Sequence, residues 1–166
     1  MEEVKPISMD AEAGEPLKFA VMALLNGFPG LNGREITWQG LTFDSGISVE
    51  PESGPLVYAT QTDILGTVYQ QCQFPFFVVY RSGASTEFQK MNVTQFLDNL
   101  GAWISGEPVT VDGNAYRLTD YPALDGARKI ERITRSNTYA MEKNENRTQD
   151  WVLPVSVSYT HTFQKR

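Results

Sequence analysis

Hydrophobic and polar positions alternate most regularly at the C-terminal end of the chain. Trp151, Leu153, Val155, Val157, Tyr159, His161 and Phe163 are interleaved with Val152, Pro154, Ser156, Ser158, Thr160 and Thr162. A period of two is that of a strand, so this segment is predicted to be a strand with one buried and one wet face. A second long strand is predicted over Thr67 to Arg81. Val68, Gln70, Cys72, Phe74, Phe76, Val78 and Tyr80 share one face; Tyr69, Gln71, Gln73, Pro75, Phe77 and Val79 share the other. From Phe74 to Tyr80 both faces are apolar, which predicts cover on both sides. The glutamine-rich half is expected to be wetter. Pro75 lacks a ladder donor and predicts an edge position or a bulge.

The period changes to 3.6 in two places. Val93, Phe96, Leu97, Leu100, Trp103 and Ile104 form one stripe of a helix over Asn92 to Ser105. Asn92 with Gln95 suits a capping box, and Gly106 suits the left-handed residue past the end. Leu17, Ala20, Val21, Leu24 and Leu25 predict an earlier helix, opened by Pro16 and stopped by Gly27 and Pro29, with Phe28 tucked beneath. Shorter strands are predicted at Ile36 to Gln39, Gly46 to Glu50, Leu56 to Gln61, Val109 to Val111 and Ile130 to Met141. Asp112-Gly113 and Lys143 to Gln149 read as turns, and Glu50 to Pro55 as a loop. Residues 1–10 are polar and expected to be a flexible terminus, leaving 11–166 as one domain. The order helix, strands, helix, strands predicts an α+β fold, a mostly antiparallel β-sheet packed by two helices.

Composition narrows the function more than it identifies it. The 166 residues carry a formal charge of -6, a poor match to nucleic acid or anionic membrane. No apolar run reaches membrane-spanning length, and Met1 to Asp10 lacks a signal pattern, so a cytoplasmic compartment is expected. The sequons at Asn92 and Asn146 then carry no meaning. A single cysteine, Cys72, excludes an internal disulfide and reads as a small buried hydrophobe. The single histidine, His161, reads as a rim residue, and with one cysteine it leaves no zinc set. No phosphate-binding glycine loop, dinucleotide fingerprint or nucleophile elbow is present. Asp10, Glu12, Glu15, Glu50 and Glu52 read as solvated carboxylates. Arg128, Lys129, Arg132 and Arg135 read as a solvated strand face, without the interleaved aromatics of a single-strand nucleic-acid binder. Neither a catalytic residue nor a cofactor or metal is therefore expected. Tyr58, Tyr69, Tyr116 and Tyr121 add aromatic surface suited to protein contact.

Three segments carry a resemblance. They are Thr62-Asp63-Ile64-Leu65-Gly66, then Phe74-Pro75-Phe76-Phe77-Val78-Val79-Tyr80-Arg81, then the helix Asn92 to Ile104 with Phe96, Leu100 and Trp103 in register. In this order they resemble small minor capsid or tail-associated proteins of prophages of Gram-positive bacteria, over about Leu56 to Phe163. Such proteins are similar to the tail terminators of long-tailed phages. The polar loop Ser82 to Lys90 departs from the pattern. The resemblance implies a non-enzymatic subunit forming a ring, commonly a hexamer, on the head-proximal end of the tail tube. That ring would end tail polymerisation and offer a docking surface to the head. Expected partners are copies of itself, the tail-tube protein and head-connector proteins, with no membrane and no sequence-specific nucleic acid. The expected location is the host bacterial cytoplasm during assembly and then the virion. The alternative within this class is a head-completion or other minor capsid protein; outside it, a small hydrolase or ligand-binding domain. The candidate assembly contacts are Arg81 and Glu87 around one loop, and Lys143, Asn144, Asn146 and Arg147 in another.

Overall fold

The computed structural model describes residues 5–83, 86–124 and 126–165. The fold is α+β, with two helices and a mostly antiparallel sheet. Two strands of sixteen residues form its axis, β5 (Thr67–Ser82) and β10 (Gln149–Gln164). They pair antiparallel along their whole length, from Gln149 opposite Ser82 to Gln164 opposite Thr67. At about 3.3 Å per residue each spans roughly 50 Å.

A column of shorter strands flanks each side of this pair. Beside β5 lie β3 (Gly46–Pro51), against Arg81 to Phe76, and β4 (Leu56–Thr62), against Gln73 to Val68. Beyond them, β2 (Ile36–Trp38) runs parallel to β3, and β1 (Ser8–Met9) antiparallel to β4. Beside β10 lie β8 (Arg128–Arg135) and β9 (Tyr139–Ala140). A separate hairpin joins β6 (Val109–Val111) to β7 (Asn114–Tyr116) through Asp112 and Gly113, both at positive φ. The β7 half of that hairpin has no apolar periodicity to announce it.

The prolines of the two axial strands explain how the columns are divided. Pro75 is neither on an edge nor in a bulge of its own strand. Its carbonyl accepts from the Glu52 N–H at 3.2 Å, so its missing donor faces the same side, where β3 has ended and β4 has not begun. Pro154 of β10 repeats the arrangement. Its carbonyl accepts from the Ser136 N–H at 3.0 Å, in the gap between β8 and β9. The strand predicted as continuous from Ile130 to Met141 is therefore broken at residues 136–138. A donor-less residue in a central strand is tolerated where the neighbouring column changes strand.

Helix α1 (Gly14–Asn26) and helix α2 (Glu87–Ile104) lie on the inner face of the sheet. The predicted α2 stripe is buried in full: Val93, Phe96, Leu97, Leu100, Trp103 and Ile104 meet Phe74, Phe76, Val78, Leu153, Val155 and Val157 in one core. Phe28 closes the end of α1, with its ring 5.5 Å from Trp103 and 5.8 Å from Phe96. Gly101 lets α2 approach the sheet, since a Cβ there would lie 2.5 Å from Arg135 Cδ. Gly106, at φ +86, ends the helix as expected.

Three further expectations are corrected. The α2 cap is Thr86, not Asn92. Thr86 Oγ1 accepts from the Gln89 N–H at 3.1 Å, and the Gln89 side chain accepts from the Thr86 N–H at 3.3 Å. The first turn is solvent-exposed, so the apolar stripe cannot reveal it. The N-terminal ten residues are not uniformly loose either. Residues 1–4 lie outside the described residues, but Ser8 and Met9 pair with β4 and Asp10 is buried. Finally, no helix covers the outer face at Phe77 and Val79. Val79 and Val152 sit opposite each other and are buried, while Phe77 and Pro154 remain half-buried.

Candidate assembly surfaces

The sheet axis has two ends, and both are elaborated. At the first, β5 ends and β10 begins. Arg81 makes a bidentate pair with Asp150, Nε to Oδ1 at 2.8 Å and Nη2 to Oδ2 at 2.9 Å. Its remaining arm donates to the Thr42 carbonyl at 3.1 Å. That bond ties the sheet to the 42–45 turn, where the Thr42 hydroxyl accepts from the Ser45 N–H. From the other side Asn146 Nδ2 donates to the Phe43 carbonyl at 2.8 Å. Asn144 donates to the Thr148 hydroxyl at 2.9 Å, and Asn146 Oδ1 accepts from that hydroxyl at 2.7 Å, shaping the hairpin loop. Arg147 supplies that loop's positive φ of 68.

The structure thus brings Arg81, Lys143, Asn144, Asn146 and Arg147 to one end, with Glu87 opening α2 five residues beyond the end of β5. Their roles divide. Arg81, Asn144 and Asn146 brace the loops, whereas Glu87, Lys143 and Arg147 are exposed. Residues 84 and 85, inside the loop proposed for contact, lie outside the described residues. The residue these braces present is Phe43, 80% exposed, in a segment to which the hydrophobic pattern assigns no element. Phe88 and Met91 expose two more apolar side chains on the first turns of α2.

At the second end stands the β4–β5 turn. Asp63 Oδ1 accepts from the Leu65 and Thr67 N–H groups, both at 2.9 Å, and the backbones of Asp63 and Thr67 bond at 3.0 Å. Gly66 takes φ +83, and its carbonyl accepts from the Lys165 N–H at 2.8 Å. On this fixed turn Ile64 and Leu65 are 101% and 81% exposed. In the sequence this segment stands out only through the resemblance, not as a contact.

Among the described residues, a buried ionic cluster lies between these ends, on the inner face. Asp10 receives Arg128 in bidentate fashion, at 2.9 and 2.7 Å, and the Tyr159 hydroxyl at 2.8 Å. Cross-strand pairing sets Tyr159 beside Cys72 and His161 between Gln70 and Arg128. Burial would raise the Asp10 pKa, but the bonds from Arg128 and Tyr159 outweigh it and hold the carboxyl below its ordinary 3.8. Burial pushes the Cys72 thiol up, so it stays protonated, in keeping with its reading as a hydrophobe. Burial, then Arg128, push His161 down, against the opposing pull of Asp10 and Glu12. Asp10 was expected to be a solvated carboxylate; it is instead a buried ion whose partner is 118 positions away, beyond the reach of sequence spacing.

Two of these shifts bear on the pH dependence of stability. His161 holds its proton less tightly when folded, so protonation favours unfolding as pH falls below about 6.5, its ordinary value. Asp10 is lowered, so its contribution is complete above 3.8 and lost as pH falls below that. Urea midpoints are expected to be lower at pH 5 than at pH 7.5, and His161→Gln is expected to flatten that difference.

Among the described residues, no group of three or more His, Cys, Asp or Glu side chains could hold a metal ion. No described helix is long and apolar enough to cross a membrane. A groove of about 260 Å³ runs across the outer face. Its walls include Tyr58 and Glu131, the extra residues at the register shifts of β4 and β8. No family model matches the sequence, and no curated protein aligns with it significantly.

Proposed function

We propose that this chain is a non-enzymatic assembly subunit of a phage or prophage tail. In this reading it is a tail terminator that forms a ring on the head-proximal end of the tube. The ring stops tube polymerisation and offers its far side to the head. The observation that carries the reading is the two-ended sheet. A stiff axis of roughly 50 Å holds a braced, exposed Phe43 at one end and a locked, exposed Ile64–Leu65 tip at the other. Solvent-exposed apolar side chains on fixed turns add nothing to the subunit's own stability and suit contact with partners on two sides. The buried ionisable cluster supports the same reading, because Asp10 and Arg128 are consumed by each other and Cys72 is held as the thiol.

Affinity capture from a mixture of tail-tube and connector proteins tests the assignment. The tube protein is expected to be retained, and Phe43→Ser or Ile64→Ser is expected to lower that retention tenfold or more. Retention of connector protein alone would transfer the subunit to head completion. Retention of neither would overturn the proposal.

A further inference from the structure

Arg81, Arg128 and Arg135 are each spent on a carboxylate, that of Asp150, Asp10 and Glu107 in turn. Arg34 is not. Among the described residues it forms no ion pair, not even with the adjacent Glu35. Its guanidinium is nevertheless held in place. Nε donates to the Tyr80 hydroxyl at 3.2 Å, and Nη1 donates to the Leu31 carbonyl at 3.3 Å. The group lies over the Phe96 ring, 5.1 Å from its centroid, and Phe28 and Tyr80 hold that ring edge-on at 5.8 and 5.6 Å. These two bonds leave the Nη2 donors and one Nη1 donor without a partner. The Tyr80 hydroxyl accepts from Nε and keeps its own proton to donate.

Arg34 and Asn92 line two depressions along α2, one of about 190 Å³ and one of about 270 Å³. Neither wall contains an Asp or Glu, and Arg34 is the charged residue of both, in a chain with 20 acidic and 14 basic residues. Asp98, on the same stretch of α2, is engaged elsewhere and accepts from the Thr138 hydroxyl at 2.8 Å. The α2 wall is a row of amides instead. Asn92, Gln95 and Asn99 stand at i, i+3 and i+7, and none of these side chains bonds another described residue. A primary amide offers both donors and an acceptor, the complement of a peptide C=O and N–H. The row rises about 10 Å, the span of roughly three residues of extended chain.

We propose that this groove binds an extended peptide segment by its carboxylate, with the carboxylate on Arg34 and Tyr80 and the backbone along Asn92 to Asn99. The open end of a fixed planar guanidinium matches a carboxylate in bidentate fashion. An acid-free wall adds no repulsion, and amides pair with any backbone whatever its side chains. A polyphosphate or nucleic acid is a poorer occupant, since one guanidinium on a chain of charge -6 offers it little. The site does not depend on ring formation.

The test presents the full chain to an array of random hexapeptides, each made with a free and with an amidated C-terminus. Retained peptides are expected to carry a carboxylate. Preference for free ends assigns the terminal carboxylate, and retention of amidated peptides containing Asp or Glu assigns an acidic side chain. Retention without regard to carboxylates, or no retention, would overturn the proposal. For the retained peptides, Arg34→Gln is expected to weaken binding tenfold or more, and Arg34→Lys nearly as much, because lysine lacks the fork. Asn92→Ala and Asn99→Ala are expected to weaken it about threefold each. Arg132→Gln removes the same charge from exposed β8 and is expected to change nothing; equal losses for Arg34→Gln and Arg132→Gln would contradict the site. Gln95→Glu puts a carboxylate on the exposed wall without changing its shape. It is expected to abolish binding with the thermal midpoint unchanged, and undiminished binding would place the peptide elsewhere.

Discussion

Replacing Asp10 with alanine is expected to cost about 3–5 kcal/mol of unfolding free energy, the range for breaking a buried ion pair by removing one partner. The Arg128 side chain is only 10% exposed and would keep its charge with only the exposed Glu12 carboxylate, 4.0 Å away, as counter-ion. The Tyr159 hydroxyl, on a residue 1% exposed, would lose its acceptor in the same step. The carboxylate also anchors the N-terminal segment, whose Ile7 and Asp10 N–H groups bond the Val57 and Pro55 carbonyls. Urea unfolding of Asp10→Ala, Tyr159→Phe and the double variant separates the contributions. Tyr159→Phe is expected to cost less, about 1–3 kcal/mol, because it still leaves the ion pair intact. The two losses are expected to be non-additive, since both variants cut one network. A loss under about 1 kcal/mol for Asp10→Ala would mean that Arg128 finds water, and that the segment is not held by this pair.

Trp103→Ala is expected to cost a similar amount, about 3–5 kcal/mol, by a different route. Trp103 is 7% exposed and its ring packs on Phe28, which in turn packs on Phe96. Truncation removes the bridge between the end of α1 and the core stripe of α2. The space cannot collapse easily, because α2 is already seated against the sheet at Gly101. Phe88→Ala, on the exposed first turn of the same helix, is the matched control and is expected to change stability by less than about 0.5 kcal/mol. Equal losses for the two would contradict the placement of the α2 stripe.

The elements legible in the sequence are those whose burial is periodic. The α2 stripe, β10 and β5 each repeat apolar residues on one face over many turns or pleats, and each lies where the pattern placed it. What escaped depends on groups that periodicity ignores. The first turn of α2 is set by a threonine cap and stands in water. The β7 strand is set by the positive φ of Asp112 and Gly113, which the sequence marked only as a turn. Pro75 was read against its own strand, whereas its position is explained by a vacancy in the neighbouring column. The double apolar face at Phe77 and Val79 predicts cover on both sides, and on the outer face Val79 is buried while Phe77 stays half open.

The candidate surfaces were legible to a similar extent. Two of the loops chosen for contact do meet at one end of the axis. Within them the residues selected for charge, Arg81 above all, turn out to hold the loops, and the exposed Phe43 was not selected at all. Charged and amide side chains in loops are visible in a sequence, but whether they face a partner or a backbone carbonyl is decided by distant strands. The Asp10–Arg128 pair shows the same limit.

The proposed role of this chain is to close a ring on a tube end. Electron microscopy of tail-tube protein polymerised with and without it is the most direct measurement. Tubes of arrested growth, each bearing one ring of extra density at a single end, are expected. Tubes of unchanged length with bare ends, at saturating amounts of folded protein, would contradict it.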